Sequence, residues 1–377
     1  MESLHLDITH KILSHVPPES ALNCKLVCKT WRRLLSHVKV KAGLLFAISQ
    51  EETSDQENSL QLYYGYYDDI AQSNQGDQFS YTTLPKINLP PIKMWKDPPV
   101  MLGSCNGLVC FSIPQPLNDP FDDLLNYPVY ICNPLTGEYV NLPNLSAEVG
   151  QIGSGFGYLP KTNEYKVVLI HYPGEFTDGS GKKIARGLVQ VYTLGRGGDG
   201  WRNIGETTDA LCYPGVAGDG VIHFMDDLEW KLVTFDLAEE EFLVLPQLQP
   251  PCLGSADCDN SCQVKVLGGH LYVVHLKGGR SVDLWSFNKS SASWSKELSI
   301  PWNGRNRAIQ YHPFSLTSSN QVLFSVSGDG NFDLCCYDPK TESVQTIASE
   351  DKNRRSFQTI QHMNSLVSLK DLGVQSN

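Results

Sequence analysis

Long apolar runs are missing from this 377-residue chain, and its first residues contain no basic-then-apolar signal region. We therefore expect neither secretion nor a membrane span. The eleven cysteines are an odd number. Without a secretory signal, they are expected to be reduced thiols and not a disulfide framework. These features predict a location in the cytoplasm, the nucleus or both.

Catalytic and metal-binding motifs are missing as well. The chain has no G-x-S-x-G, no H-E-x-x-H and no set of kinase motifs. Cys252, Cys258 and Cys262 with His270 superficially suggest zinc, but C-x5-C-x3-C is not a zinc-finger spacing. We expect no metal, no cofactor and no catalytic residue. The net charge of -11 also disfavours nucleic acid as a partner.

A helical pattern of apolar residues is present, but only in the first forty residues. After a candidate N-cap at Asp7, apolar side chains follow at Ile8, Ile12, Leu13 and Val16. A double proline ends this helix, and the next two apolar stretches predict a second and a third short helix. Three helices of this length cannot enclose a full core, so we expect a partner to cover the remaining apolar surface.

The rest of the chain has the pattern of a repetitive β protein. Short strands rich in Val, Ile, Tyr, Phe and Trp alternate with Gly, Pro, Asn and Asp turns. Five copies align, with steps of 58, 55, 49 and 52 residues, at Val109, Val167, Ile222, Leu271 and Leu323. A period near 50 is typical of a kelch-like β-propeller blade with four strands.

Six blades are the preferred number, and five or seven remain alternatives. The sixth blade is expected to combine the strand at 44–49 and the tyrosine-rich run near 62–67 with the closing run MNSLVSL at 363–369. Pairing the two ends of the chain in this way would close the ring.

Two segments of the first forty residues resemble the F-box in its plant-type form: ILSHVPPESAL at 12–22 and VCKTWRRLL at 27–35. One position departs from the family pattern, because His5 stands where a proline usually follows the first leucine. The resemblance implies binding to a Skp-type adaptor and, through it, to a cullin. The adaptor-facing residues that it implies are Leu4, Asp7, Ile8, Ile12, Leu13, Val16, Pro17, Leu22, Leu26, Val27, Cys28 and Trp31. Some of these must instead hold the helices together, and the sequence does not separate the two sets.

The body resembles the F-box-associated region of plant F-box proteins. The phrases GSCNGLVCF at 103–111, CNPLTGEYVNLP at 132–143, GFGYLPKTNEYKVV at 155–168 and NSLVSL at 364–369 carry this resemblance. We therefore predict an F-box at 1–41 and an F-box-associated, kelch-like propeller for substrate recognition at 42–372. Residues 1–41 carry seven Lys and Arg against three acidic residues, so the remainder has a net charge of -15. This division suits a basic docking segment for an acidic adaptor.

Recognition is expected in the propeller's longer loops, at 50–59, 68–80, 114–128, 173–187, 250–262 and 301–311. Exposed aromatic residues and arginine are the usual anchors of an interface. On that ground the candidates are Tyr172, Phe176, Trp230, Trp302, Arg305, Arg307 and Phe332. For any single tryptophan, packing between blades is the more common role.

Three functions remain possible at this point. The preferred one is a non-catalytic substrate-recognition subunit of a cullin–Skp–F-box ubiquitin ligase, which binds a target protein for ubiquitination and degradation. The second is an F-box scaffold that acts outside the ligase. The third is a propeller enzyme, which would need metal ligands or paired carboxylates that the sequence does not display.

Overall fold

The computed structural model describes most of the chain in separate stretches. These are 5–16, 20, 24, 27–35, 42–50, 59–65, 86–87, 100–112, 115–116, 124–148, 150–174, 176–177, 183–195, 200–250, 262–277, 281–301, 310–317, 319–328, 331–350 and 356–374. Two helices, α1 (Leu6–Leu13) and α2 (Lys29–Leu35), precede the strands. Ser20 and Cys24 between them are helical too, and the rest of the predicted second helix lies outside the described residues.

Six four-stranded antiparallel sheets follow. Numbered along the chain and given from the inside of each sheet outward, blade 1 is β29 (Ser356–Met363), β1 (Ala42–Gln50), β2 (Ser59–Gly65) and β3 (Lys86–Ile87). Blade 2 is β4 (Val100–Cys105), β5 (Leu108–Ser112), β8 (Val129–Cys132) and β9 (Tyr139–Asn141). Blade 3 is β11 (Gln151–Leu159), β12 (Glu164–Tyr172), β15 (Gly187–Leu194) and β16 (Arg202–Thr207).

Blade 4 is β17 (Val216–Gly218), β18 (Val221–Met225), β19 (Leu232–Asp236) and β20 (Glu241–Leu243). Blade 5 is β21 (Cys262–Leu267), β22 (His270–Lys277), β23 (Ser281–Asn288) and β24 (Ser293–Pro301). Blade 6 is β25 (Gln310–Leu316), β26 (Val322–Gly328), β27 (Asn331–Asp338) and β28 (Ser343–Glu350). A small sheet of β6 (Gln115–Pro116), β7 (Leu124–Tyr127) and β10 (Leu145–Glu148), the hairpin β13 (Phe176–Thr177) with β14 (Lys183–Ile184), and a 3-10 helix at Pro246–Leu248 lie in the connections.

The inner strands of the six blades form a closed ring. Each contacts the next in the order β29, β4, β11, β17, β21, β25 and back to β29. The fold is therefore the predicted six-bladed propeller, and it leaves only short outer edges unpaired. The five aligned residues from Val109 to Leu323 all lie on the second strand of their blade and are all buried.

The closing strand differs from the prediction. The ring is closed by β29, whose Ser356–Met363 pairs with β1 from Ala42 to Ser49. The apolar run at 364–369 follows this strand and belongs to no sheet. The prediction erred because β29, with the sequence SFQTIQHM, is an inner strand with few large apolar residues, whereas the leucines of 364–369 are buried in another setting.

A repeated turn connects the third and fourth strands. The first residue of the turn is Asn133, Asp236, Asn288 or Asp338, and its Oδ1 accepts a hydrogen bond from the backbone N–H two residues later. The residue four positions after it has positive φ each time: Gly137, Glu240, Ala292 and Glu342. An Asx side chain that caps the following N–H groups, with a left-handed residue to close the loop, explains the recurring Asn/Asp signal of the sequence.

Close packing of neighbouring blades explains the glycine-rich phrase at 153–157. It lies within β11 and not in a phosphate-binding loop. A Cβ at Gly153 would lie 1.7 Å from the carbonyl oxygen of Leu211 in the connection to blade 4. The strand needs glycine there because the next segment of backbone occupies the space of a side chain.

The antiparallel alternation gives the propeller two distinct faces. Turns between strands 1 and 2 and between strands 3 and 4, such as 106–107 and 133–138, lie on one face, which we call the turn face. Connections between strands 2 and 3 and between blades lie on the other face, which we call the loop face; examples are 208–215 and 226–231. Five of the six long loops named above, all except 68–80, join strand ends at the loop face.

Candidate functional site

Helix α1 begins one residue earlier than its expected cap. His5 is the N-cap residue, so the prediction of Asp7 in that position is wrong. Asp7 lies in the first turn, where a carboxylate favours the helix dipole, and its Oδ2 is 3.2 Å from Nδ1 of His5. Both side chains are exposed, so this contact adds little to stability.

One side of α1 is sealed within the molecule. Leu13 is 1 % exposed and packs in a cluster with Leu35 of α2 and with Leu366, which follows the closing strand. Partly buried residues surround this cluster, namely Val16, Cys24, Trp31, Leu34 and Leu135. Leu135 lies in the turn between β8 and β9, and Leu366 follows the closing strand, so the helices pack on the turn face of the propeller.

The other side of α1 is uncovered. There, Ile8 and Ile12 are 51 % and 48 % exposed. Leu6 lies seven residues before Leu13, on the same side of the helix, and is 49 % exposed in the first turn; Val27 before α2 is 62 % exposed. Cys28 is also exposed, and its Sγ accepts a long contact from the Trp31 N–H at 3.5 Å. Apolar side chains of this size are rarely left together in water without a partner.

The twelve residues implied by the resemblance thus fall into three groups. Asp7, Ile8, Ile12, Val27 and Cys28 are exposed. Leu13, Val16 and Trp31 belong to the internal cluster. Leu4, Pro17, Leu22 and Leu26 lie outside the described residues.

A C-terminal segment at 364–374, which we call the strap, joins the helices to blade 2; we call this contact region, formed by the strap and the turn at 133–138, the seat of the helices. Asn133 is fully buried, and its Nδ2 donates to the carbonyl oxygens of Ser365 at 3.0 Å and Val367 at 2.7 Å. Glu138, five residues later, accepts hydrogen bonds from the Ser368 hydroxyl at 3.0 Å and the Leu369 N–H at 2.6 Å. These contacts hold Leu366 in position beneath α1.

Three distant phrases of the sequence converge at this seat. The carbonyl oxygen of Asn106 accepts a hydrogen bond from the Ser365 hydroxyl, and Asn133 donates to the strap backbone. Leu369 of the strap is buried in the core between blades 2 and 3. Sequence reasoning missed Leu135, Leu366 and Asn133 as functional residues. The phrases containing them had carried the family resemblance, but one sequence could not show that they meet.

Two of the predicted recognition residues, Tyr172 and Trp230, are not exposed. Tyr172 is 4 % exposed, so the expectation of an exposed anchor is wrong for it. Its hydroxyl donates to the Asp209 carbonyl at 2.6 Å and accepts from the Leu211 N–H at 2.8 Å, which ties down the connection between blades 3 and 4. Trp230 has positive φ and packs at the edge of a core cluster.

The remaining candidates are only partly placed. Phe176 lies in β13 and Phe332 in β27, and the surroundings of their side chains lie outside what the structure describes. Trp302, Arg305 and Arg307 fall outside the described residues altogether. A recognition role for these five residues remains a prediction.

An acidic cluster, in which Asp226 is buried, lies at the loop face near Tyr172. Lys231 Nζ lies 2.8 Å from Asp209, 2.8 Å from Glu229 and 3.7 Å from Asp226. Asp227 stands next to this group, and its backbone N–H donates to the Ala210 carbonyl at 2.9 Å. Burial, together with the charge of Asp226, raises the pKa of Asp227 to about 6. Lys231 therefore pairs with three of four neighbouring carboxylates on this part of the propeller.

The suspected zinc ligands do not assemble in the described part of the chain. Cys262 pairs with His275 at one end of the β21–β22 hairpin, and His270 lies at its other end. Cys252 and Cys258 lie outside the described residues. Within the described ranges, no three His, Cys, Asp or Glu side chains form a metal-binding group, and no helix is long and apolar enough to cross a membrane.

Comparison with protein families agrees with this architecture. Residues 45–371 match the model of the F-box associated beta propeller domain, and residues 1–42 match the model of the F-box domain. The chain is a member of the F-box associated beta-propeller family. Members of this family are generally adaptors and not enzymes, and an F-box generally binds a Skp1-type adaptor.

Curated relatives of this F-box/propeller protein come from Arabidopsis thaliana. F-box protein At3g07870 is 27 % identical over 339 residues, which cover 80 % of this chain and 73 % of the relative. F-box/kelch-repeat protein At3g23880 is 24 % identical over 323 residues, with coverage of 79 % and 80 %. Each match spans about four fifths of this chain.

Solved structures share only a distant likeness. A putative 6-phosphogluconolactonase from Bacteroides uniformis has 10 % identity and a TM-score of 0.39, and covers 85 % of this chain and 100 % of its own. An Aleuria aurantia lectin has 8 % identity and a TM-score of 0.43, with coverage of 78 % and 92 %. We draw no conclusion about function from likenesses at this level.

Proposed function

We propose that this chain is the substrate-recognition subunit of a cullin–Skp–F-box ubiquitin ligase. Residues 1–41 would bind a Skp-type adaptor and, through it, a cullin. Residues 42–372 would bind a target protein for ubiquitination and degradation, in the cytoplasm, the nucleus or both. The chain itself would perform no covalent chemistry, because its part is to hold two proteins near each other.

The division of α1 into two sides carries this proposal. Leu13 is sealed against Leu35 and Leu366, whereas Ile8 and Ile12 of the same helix are about half exposed. If the helix were only a cap on the propeller, its apolar residues would be expected to face the propeller. An amphipathic helix with a second apolar side fits into a groove of a partner.

The seat of the helices supports the proposal further. A rigid receptor positions its target better than a receptor with a flexible tether. Here the strap and the turn at 133–138 fasten α1 and α2 to the turn face. The loop face, which carries most of the long connections, points away from the adaptor-binding side and remains available to a target.

Adaptor co-purification tests the proposal. Ile8→Glu and Ile12→Glu place charges on the exposed side of α1 and should abolish co-purification of a Skp-type adaptor while the propeller stays folded. Leu13 is unsuitable for this test, because a charge there would break the internal cluster. Val244→Glu is the matched control, since Val244 is 47 % exposed on the propeller.

Retained adaptor binding in both helix variants would refute the assignment. Cullin co-elution then separates a ligase subunit from an F-box scaffold that acts elsewhere. Adaptor binding without any cullin in the complex would favour the scaffold.

A further inference from the structure

Two neighbouring segments of the loop face each carry an exposed apolar side chain. Tyr213, in the connection between blades 3 and 4, is 67 % exposed, and Leu228, in the turn between β18 and β19, is 43 % exposed. The two segments are joined by the hydrogen bond from the Asp227 N–H to the Ala210 carbonyl and by the ion pair of Lys231 with Asp209. An aromatic and an aliphatic side chain on fixed backbone are suitable anchors for a partner.

The charge around these two residues is negative. Lys231 Nζ pairs with Asp209, Asp226 and Glu229, and Asp227 adds a fourth carboxylate that this ammonium group does not contact. Among the residues that the structure describes, none donates a hydrogen bond or a positive charge to the Asp227 carboxylate. The surface therefore has one carboxylate left for a ligand.

Asp227 is an unfavourable place for a negative charge. It is partly buried, stands beside Asp226, and has its pKa raised to about 6, so at neutral pH it is ionised against its surroundings. Burial raises the pKa values of Tyr213 and Cys212, and the nearby charge of Asp227 raises them further. A cation supplied by a partner would offset this cost.

We propose that Asp227, Tyr213 and Leu228 form a binding site for a lysine or arginine side chain of the target protein. The ammonium or guanidinium group pairs with the Asp227 carboxylate and lies against the Tyr213 ring, whose face attracts cations. The methylene stem of the side chain covers Leu228. The net negative charge of the surrounding residues selects a basic segment and repels an acidic one. This inference rests on the proposed function, because it names the chemistry of the target.

The test is peptide binding to the full-length chain. The probe is a fluorescein-labelled octapeptide of alternating arginine and glycine, followed by fluorescence anisotropy at physiological salt. A citrulline version keeps the shape without the charge, and a lysine version keeps the charge. We expect binding of the arginine and lysine peptides and at least a tenfold loss for the citrulline peptide.

Variants locate the site. Asp227→Asn, which keeps the size of the side chain, and Tyr213→Ala should each weaken binding about tenfold, and Tyr213→Phe should retain it because the ring remains. Glu239→Gln is the control, since Glu239 is an exposed carboxylate on the turn face. Failure of the arginine peptide to bind, or equal effects of Asp227→Asn and Glu239→Gln, would overturn the inference.

The same variants distinguish this inference from the proposed function. Asp227→Asn should leave adaptor co-purification unchanged, and Ile12→Glu should leave peptide binding unchanged. Adaptor binding with no peptide binding would refute the basic-side-chain site alone. Peptide binding without an adaptor would refute the proposed ligase role and leave the site standing.

Discussion

Asn133 provides a sharp test of how the strap holds the fold together. Its Oδ1 accepts from the N–H groups of Leu135 at 2.9 Å and Thr136 at 3.3 Å, and its Nδ2 donates to the two strap carbonyls. Asn288 occupies the equivalent position in blade 5 and accepts from Ser290 at 2.9 Å and Ser291 at 3.3 Å. Asn288 is exposed, and it has no strap to bind.

Replacing each asparagine by aspartate separates the two roles. Aspartate keeps the Oδ1 acceptor, and Asp236 and Asp338 hold the same turn in blades 4 and 6, so Asn288→Asp should change the free energy of unfolding by less than about 0.5 kcal/mol. Asn133→Asp loses two donated hydrogen bonds at about 1 kcal/mol each. It also places a carboxylate against two buried carbonyl oxygens, so we expect a total loss of about 3 kcal/mol.

Urea unfolding followed by tryptophan fluorescence measures both variants, and hydrogen exchange reports the strap directly. The Leu369 N–H, which donates to Glu138, should exchange faster in Asn133→Asp than in the parent chain. Its exchange rate should be unchanged in Asn288→Asp. Equal stability of the two variants, with unchanged exchange at Leu369, would show that the strap does not depend on Asn133.

Two further predictions concern buried charge. Glu240 accepts hydrogen bonds from Arg202 and from Lys166, whose side chain is only 8 % exposed. Glu240→Ala leaves the Lys166 charge buried without this partner, so the free energy of unfolding in urea should fall by about 3 kcal/mol. Adding Lys166→Met to that variant should restore part of the lost stability. Glu206→Ala, at an exposed ion pair with Arg186, is the control and should have little effect; a similar loss in both would contradict the role of burial. Burial lowers the pKa values of His223, His312 and His362 to about 4. Between pH 6.5 and 4 the unfolded chain therefore binds more protons than the folded chain. Because of this difference, the free energy of unfolding should fall as the pH decreases through that range. Asp227, with its pKa raised to about 6, acts in the opposite direction, and a stability curve that stays flat or rises between pH 6.5 and 4 would refute the dominance of the histidines.

The seat of the helices has a consequence for the geometry of the proposed ligase. Leu13 and Leu366 join the docking helices to the strap, and the strap is joined to blade 2 by Asn133 and Glu138. The adaptor side and the loop face are therefore linked through packed and hydrogen-bonded elements. A target on the loop face would be held at a fixed distance from an adaptor bound to α1.

The six-bladed architecture could be predicted from the amino-acid sequence, apart from the strand that closes the ring. A period near 50 residues placed the second strand of five blades correctly, because the second strands are buried on both faces and their apolar runs stand out. The Asn and Asp residues of the repeated turns were visible for a related reason, since the turn needs a side chain that caps the backbone.

The burial of individual apolar residues in α1 could not be predicted in this way, because it depends on contacts with the strap. Ile12 and Leu13 are neighbours with the same chemistry, but the strap covers one and not the other, and the strap comes from residues more than 350 positions away. For the same reason the local pattern at 364–369 predicts a strand that the structure lacks, and the residue type of Tyr172 predicts an exposed anchor although the side chain is buried. Burial is set by contacts between segments that are distant in sequence, and a local pattern carries no record of which segments will meet.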